Sequence, residues 1–303
     1  MDWTTEIAKA AVRIAPHVRR TPVTVLDLGG SPVAIKLEQM QHTGSFKARG
    51  AFNTLLGAPV PAAGLVAASG GNHGAAVGFA AHQLGHPARI YVPEMAGPAK
   101  IALIESTGAD LVVVPGAYAN AFEAAQTYEA ETGAAQIHAY DAPATVIGQG
   151  TCMAEWEDQG LDADTVLIAV GGGGLIAGAL AWLGGRRKVV AVEPENACTL
   201  SAALKAARPV DVEVSGVAAN ALGARRIGNI CFDLAQGIRS VKVSDAAIIA
   251  AQALLWRQMR QLVEPAGATA LAALMSGAYV PAPGERVAVL ICGGNIAPDP
   301  LAG

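Results

Sequence analysis

Charge is scarce in this 303-residue chain: Asp, Glu, Lys and Arg make up 15% of it, and aromatic residues only 5%. From Gly50 to Ala88 there is no charged Asp, Glu, Lys or Arg at all. With 52% hydrophobic residues, the scarcity of charge excludes a disordered chain. The net charge of -4 leaves no electrostatic reason to expect a nucleic-acid or membrane partner. Cysteine is sparse too. Cys152, Cys198, Cys231 and Cys292 form no C-x-x-C pair, which fits a reduced, cytoplasmic compartment. The opening "MDWTTEIAKAAVRIAPHVRR" lacks the hydrophobic core of a signal peptide and reads as a short capped helix. Thr165 to Gly185, 21 residues without formal charge, has the length of a membrane span, but seven of them are glycine. Glycine is a poor helix interior, so a buried strand, a glycine turn and a helix are expected instead.

What the chain does have is alanine, valine, leucine, isoleucine and 35 glycines, in apolar runs of strand length alternating with helical patterns. Strands are expected at 32–38, 64–69, 88–93, after Gly108, at 165–170, 188–194 and 286–291. Helices are expected at 45–57, after "GGN", at 97–108, from Ala117 to Gly133 and after the second glycine turn. Residues 244–263 place Ile248, Ala251, Leu255, Met259 and Leu262 at helical spacing, with Ser244 as N-cap. This rhythm predicts an α/β fold with parallel-rich sheets flanked by helices.

Two segments echo each other: "LVAASGGNHGAAVGFAAHQLG" (65–85) and "VLIAVGGGGLIAGALAWLG" (166–184). Each reads as strand, glycine turn and helix, so each offers backbone N–H groups at a helix N-terminus to an anion. Lys47, in "HTGSFKARGA", precedes both and stands at the edge of the uncharged stretch. A lysine there loses its proton more readily than one on a solvated surface. An amine for a Schiff base, a nest for a phosphate and a nest for a carboxylate together describe pyridoxal phosphate acting on an amino acid.

The motifs "KLEQMQHTGSFKARGA", "ASGGNHGAAVGFA", "VGGGGLIAG", "AVEPE", "VEPAGATALAAL" and "ICGGN" follow one another in this order. From about residue 20 to 297 the chain thereby resembles the fold-type II pyridoxal-phosphate enzymes, in the threonine/serine dehydratase and serine racemase branch. The resemblance implies a two-domain architecture like that of the tryptophan synthase β chain. A large cofactor domain would comprise 1–63 and 142–303, a small substrate-side domain 64–141, with the active site between them. It also implies roles. Lys47 would hold the cofactor aldehyde and later move the α-proton, Phe46 would pack on the cofactor ring, and Asn72 would bond its phenolic oxygen. Gly171, Gly172, Gly173 and Gly174 would bind the phosphate, and Cys292 would sit beside the pyridine nitrogen. Ser69, Gly70, Gly71, Asn72 and His73 would grip the substrate carboxylate. The implied reaction removes water, then ammonia, from a 3-hydroxy amino acid to give a 2-oxo acid. Serine, threonine, 3-hydroxyaspartate and phenylserine all remain open as substrates, and a homodimer is expected by analogy.

Departures from the family pattern matter. Racemases carry a serine at the position of Gly70, which has no proton to give, so racemisation is the second reading. Metal-activated relatives place an aspartate six residues after the "VEP" glutamate; here Thr199 follows Glu193, and no metal is expected. "AANALGARR" (218–226) stands where many relatives have "ADG", and the chain ends soon after "CGGN", without the regulatory domain of biosynthetic threonine dehydratases. Glu264 either approaches the cofactor ring or caps the helix after Pro265. A third reading is a nicotinamide-dependent oxidoreductase: Gly172, Gly174 and Ala177 fit G-x-G-x-x-A, with Glu193 at the end of the next strand.

Overall fold

The computed structural model describes residues 1–116 and 118–296. The chain opens with α1 (Trp3–Ile14), the strands β1 (Val23–Leu28) and β2 (Ser31–Leu37), and α2 (Lys47–Gly57). Short strands and helices then alternate: β3 (Leu65–Ala68), α3 (Asn72–Gln83), β4 (Ala88–Pro93), α4 (Pro98–Glu105), β5 (Asp110–Val114), α5 (Tyr118–Thr132) and β6 (Ala135–Gln136). Next come α6 (Pro143–Asp158), β7 (Thr165–Ala169), α7 (Gly174–Leu183), β8 (Lys188–Pro194) and α8 (Thr199–Ala206). The last elements are α9 (Ala219–Leu222), α10 (Asn229–Leu234), β9 (Arg239–Val243), α11 (Asp245–Leu254), α12 (Pro265–Met275) and β10 (Val287–Ile291).

These strands form two sheets, ordered β1-β2-β10-β7-β8-β9 and β5-β4-β3-β6. Every pairing is parallel except the hairpin of β1 and β2, closed by Gly29 and Gly30 at positive φ, as a tight two-residue turn requires. β3, β7 and β10 are buried along their whole length because helices cover both faces, which explains their unbroken apolar sequence. Leu167, Val190 and Val289 centre the core of the first sheet. Ile90, Val92 and Ile104 centre a second core, to which α2 contributes Ala48, Ala51, Phe52 and Leu55. The carboxyl ends of β3, β7 and β10 therefore deliver Ser69, Gly171 and Cys292 into loops, the usual place for a site in parallel sheets.

Two expectations need correction. The helix anticipated from Ser45 starts at Lys47, because Ser45 instead forms an antiparallel bridge with Gly293. Residues 244–263 are not one helix. Ser244 caps α11 and the stripe of Ile248, Ala251 and Leu255 is buried, but a π turn covers Leu255–Met259, Arg260 adopts φ 55, and Leu262 is exposed. That break swings the chain so that Glu264 reaches Gly293, whose carbonyl accepts the Glu264 N–H at 3.2 Å. Thr165 to Gly185 divides into β7, the glycine turn and α7, and among the described residues no helix is long and apolar enough to cross a membrane.

A buried ionic cluster pins α2 to its neighbours. Arg49 donates to both Glu38 oxygens at 2.8 Å and to Glu155 at 2.9 Å. Lys36 Nζ reaches Glu155 and Gln159 at 2.6 Å and the Thr21 carbonyl at 2.9 Å. Burial alone would raise the Glu38 pKa, but the charge and hydrogen bonds of Arg49, with Lys36 and Thr21, hold it below the ordinary 4.5. Glu38 thus contributes stability above its unfolded pKa and loses it as pH falls through the lower folded value. Glu38→Ala, which leaves Arg49 buried beside one remaining carboxylate, is expected to cost about 3–5 kcal/mol. Urea unfolding at neutral pH checks this, and the deficit should shrink as acid titrates the wild-type carboxylate.

Candidate active site

Lys47 opens α2, immediately after a segment held against the end of β10. The Phe46 N–H donates to the Cys292 carbonyl at 3.3 Å, and the Gly294 N–H donates to the Gly44 carbonyl at 2.9 Å. The Lys47 amine lies 5.1 Å from the centre of the Phe46 ring and donates to the Ala139 carbonyl at 2.7 Å. Among the described residues Lys47 forms no salt bridge to a carboxylate, and the nearest acid upstream, Glu38, is taken by Arg49. Burial lowers the Lys47 pKa to about 8, with Cys292 pulling weakly the other way. Cys292 is itself buried, its thiol directed to the Ala266 carbonyl at 3.4 Å, and burial pushes its pKa well up, so it stands as a neutral group.

Gly171 to Gly174 carry the chain from β7 into α7. Gly173 adopts φ 94 as N-cap and offers no side chain, so the first turn of α7 has no side-chain cap. A Cβ at Gly172 would run into the Tyr140 ring, so the turn accepts no larger residue there. Two of its carbonyls are held from outside, Gly171 by the Thr199 hydroxyl at 2.7 Å and Gly172 by the Gly228 N–H at 3.0 Å. The turn is thereby fixed without using its N–H groups. These two features, an uncapped helix start and an amine with no counter-charge, are what a phosphate-bearing aldehyde needs.

The loop Ser69–Gly70–Gly71 leads from β3 into Asn72 and His73, the first residues of α3. The Gly71 N–H donates to the Ser69 hydroxyl at 3.3 Å. His73 Nε2 meets the Ile137 carbonyl at 2.8 Å. Burial and the nearby Lys47 charge lower its pKa to about 3, so it is neutral at pH 7 and its Nε2 donates. A Cβ on Gly70 would lie 2.6 Å from Ala96 Cβ and 3.2 Å from Val92. That position faces the protein wall and has no room for a serine. Asn220 sits opposite: its carbonyl accepts from Lys100 Nζ at 3.2 Å and would lie 3.7 Å from a Cβ on Gly71. The "AANALGARR" departure therefore borders the loop 69–73.

With this geometry in place, the comparisons are decisive. A family model described as pyridoxal-phosphate dependent enzyme matches residues 14–293. The chain belongs to that family. It is 37% identical over 300 residues to a phenylserine dehydratase of Ralstonia pickettii, covering 95% of this chain and 92% of that protein. Its fold is similar to that of a threonine deaminase from T.th., with TM-score 0.89 and 35% identity over 96% of this chain and 98% of the other. Maize serine racemase is similar too, with TM-score 0.90 and 29% identity over 97% of this chain and 93% of the other.

The residues fit the cofactor of a pyridoxal-phosphate enzyme. An amine with a pKa of about 8, a glycine-lined helix start and a neutral thiol meet at the ends of β7, β10 and α2. The nicotinamide reading is set aside. Glu193, which would have to bond a ribose, is fully buried, and its oxygens already accept from the Leu200 N–H at 2.7 Å, the Ser201 N–H at 2.9 Å and the Ser240 hydroxyl at 2.7 Å. Among the described residues no group of three or more His, Cys, Asp or Glu is placed to hold a metal ion.

Sequence reasoning missed several residues of this pyridoxal-phosphate site. Ala139 seats the Lys47 amine through a backbone carbonyl, and no sequence pattern announces where a carbonyl points. Tyr140 lies on the glycine turn. Glu264 was not missed: of the two readings the sequence left open for it, the side chain makes no capping bond to α12 and accepts from Asn72 Nδ2 at 2.6 Å. Asn295 closes the quoted "ICGGN" motif and donates to Asn72 at 2.8 Å.

Competitive labelling of the cofactor-free protein with an amine-selective acylating reagent should show Lys47 reacting with a pH midpoint near 8, below the ordinary lysine value of 10.5. A midpoint near 10.5 for Lys47 would show that its surroundings do not disfavour charge.

Proposed function

We propose that the protein eliminates water from a 3-hydroxy amino acid of the threonine/serine type, and that hydrolysis of the released 2-amino-2-enoic acid takes up one water and frees ammonia, giving a 2-oxo acid. The observation that carries this reading is a lysine with a depressed pKa and no ionic partner, set between two glycine turns that each open a helix. Pyridoxal phosphate, when bound, supplies an aldehyde for amines and an electron sink that weakens the bond to the α-hydrogen.

The chain's own residues do the rest. Lys47 would hold the cofactor, and its Nζ, neutral at mildly alkaline pH, would take the α-proton of the substrate. Gly171, Gly172, Gly173 and Gly174 hold the phosphate with N–H groups at the positive end of α7. Phe46 would back the ring, and Asn72 would donate to its phenolic oxygen. Ser69, Gly70, Gly71, Asn72 and His73 orient the substrate carboxylate at the start of α3. Cys292, a neutral thiol, would face the ring nitrogen and offer it no carboxylate, which would favour elimination over transamination. His73 has too low a pKa to deliver a proton at pH 7, so departure of the β-hydroxyl is not assigned to it.

The division into 1–63 with 142–303 and 64–141 belongs to this proposal, with closure of the second unit on the first excluding water. A homodimer rests on the resemblance, and a cytoplasmic setting on four free thiols. Racemisation is the second reading, favoured by the structural likeness to maize serine racemase. Against it, Gly70 offers no proton to the opposite face.

Assaying 2-oxo acid and ammonia across threonine, serine, 3-hydroxyaspartate and phenylserine tests the proposal. At least one substrate should be deaminated, and Lys47→Ala should lower the rate by roughly a thousandfold or more. No product from any of them contradicts the dehydratase reading. Gly70→Ser, lacking room beside Ala96, should reduce deamination without creating serine racemisation; inversion outpacing deamination in wild type would reverse the ranking.

A further inference from the structure

The amide of Asn72 is held from behind by a residue to which no role has yet been given. Asn295 Nδ2 donates to the Thr43 carbonyl at 2.8 Å and to Asn72 Oδ1 at 2.8 Å. A backbone carbonyl only accepts, so the Asn295 atom facing it is the nitrogen. That nitrogen fixes the facing atom of Asn72 as oxygen. Asn72 Nδ2 must then point the other way, where Glu264 Oε1 accepts one of its two hydrogens at 2.6 Å. One N–H of Asn72 is left for another acceptor.

The backbone is shaped to allow this chain of contacts. Thr43 adopts φ 58, a left-handed conformation that threonine rarely takes, and Gly44 follows at φ 72. A Cβ on Gly44 would lie 2.5 Å from Asn295 Oδ1, and one on Gly293 would collide with Glu264 Oε1. Both glycines give close approach to a polar side chain of the relay. The same segment, 43–47, ends at Lys47, so the relay also ties the amine-bearing turn to the end of β10.

We propose that Asn295 and Glu264 are positioning residues that orient the Asn72 amide, so that its remaining N–H is donated to the phenolic oxygen of the cofactor. This rests on the assignment of Asn72 within the pyridoxal-phosphate site. The Asn295 end of the relay is insensitive to pH, because the Thr43 carbonyl does not titrate. At the other end, burial raises Glu264 to about 7, opposed by its bond from Asn72 and the charge of Lys100. Cys292 also faces Glu264 and, like His73, interacts with Lys47.

The test uses the full-length protein loaded with pyridoxal phosphate, as wild type, Asn72→Ala, Asn295→Ala, Asn295→Asp and Glu264→Gln. Three quantities are read: the pH midpoint of the visible cofactor band, the cofactor dissociation constant, and the melting temperature of the cofactor-free protein. Loss of a donor to a charged oxygen should move the midpoint of Asn72→Ala by about half a unit or more, and Asn295→Ala in the same direction. Asn295→Asp, nearly the same shape, turns acceptors toward both Thr43 and Asn72, so it should shift the midpoint at least as far even if the alanine variant loosens the turn. Cofactor affinity should fall roughly tenfold in the Asn295 variants. Glu264→Gln keeps an acceptor for Asn72 and should shift the midpoint least. If Asn72→Ala shifts the midpoint and both Asn295 variants keep the wild-type value, with only melting affected, the relay is wrong and the assignment of Asn72 stands. If Asn72→Ala leaves the midpoint unmoved, that assignment fails and the relay with it.

Discussion

The amine of Lys47 has no counter-charge, and much of the surrounding structure follows from keeping it that way. A buried ammonium without a carboxylate sheds its proton readily, so the same burial that costs folding energy provides a nucleophile near neutral pH. Acids of the interior are committed elsewhere: Glu38 and Glu155 to Arg49 and Lys36, Glu193 to the start of α8, Glu264 to Asn72. Among the described residues only the Ala139 carbonyl accepts from Lys47, orienting the amine without neutralising a charge. Arg49, two residues further on, takes the opposite course in a fully paired buried cluster, which anchors the helix whose first residue must stay available.

Parallel sheets make such a site simple to assemble. The carboxyl ends of β3, β7 and β10 each lead into a loop rich in glycine. Where the helices after β3 and β7 begin, the N-caps are glycines and supply no side-chain cap. Neighbouring elements hold the turn before α7 through its carbonyls, with Thr199 and Gly228 as the donors. Rigidity is thus supplied from outside the ligand-facing groups, and the helix dipoles provide the positive potential that the scarce cations do not.

Much of this was legible in the sequence because the relevant physics is local. Apolar runs such as "TVLIAV" and "RVAVLI" mark strands buried on both faces, and a glycine turn before a helix marks an anion site wherever the helix ends up packed. The hairpin strand Val23–Leu28 and the edge strand Arg239–Val243 were not legible, since both lie at sheet edges with exposed, polar positions. The break after Leu254 was hidden because Met259 and Leu262 continue the helical spacing although the backbone does not. Ala139, Tyr140 and Asn295 were hidden for a different reason: their parts are played by a backbone carbonyl, a packed ring and an amide reached across the fold. Gly70 was noticed for the hydroxyl it lacks, but only the proximity of Ala96 and Val92 shows that no side chain fits there.

One measurement bears most directly on the central claim, that Lys47 is the amine the fold keeps free for pyridoxal phosphate. The protein loaded with the cofactor is reduced with borohydride, digested and mapped by mass spectrometry. The account predicts a single peptide carrying the reduced cofactor, modified at Lys47. Attachment at another lysine, or no attachment to a protein that has bound the cofactor, would contradict it.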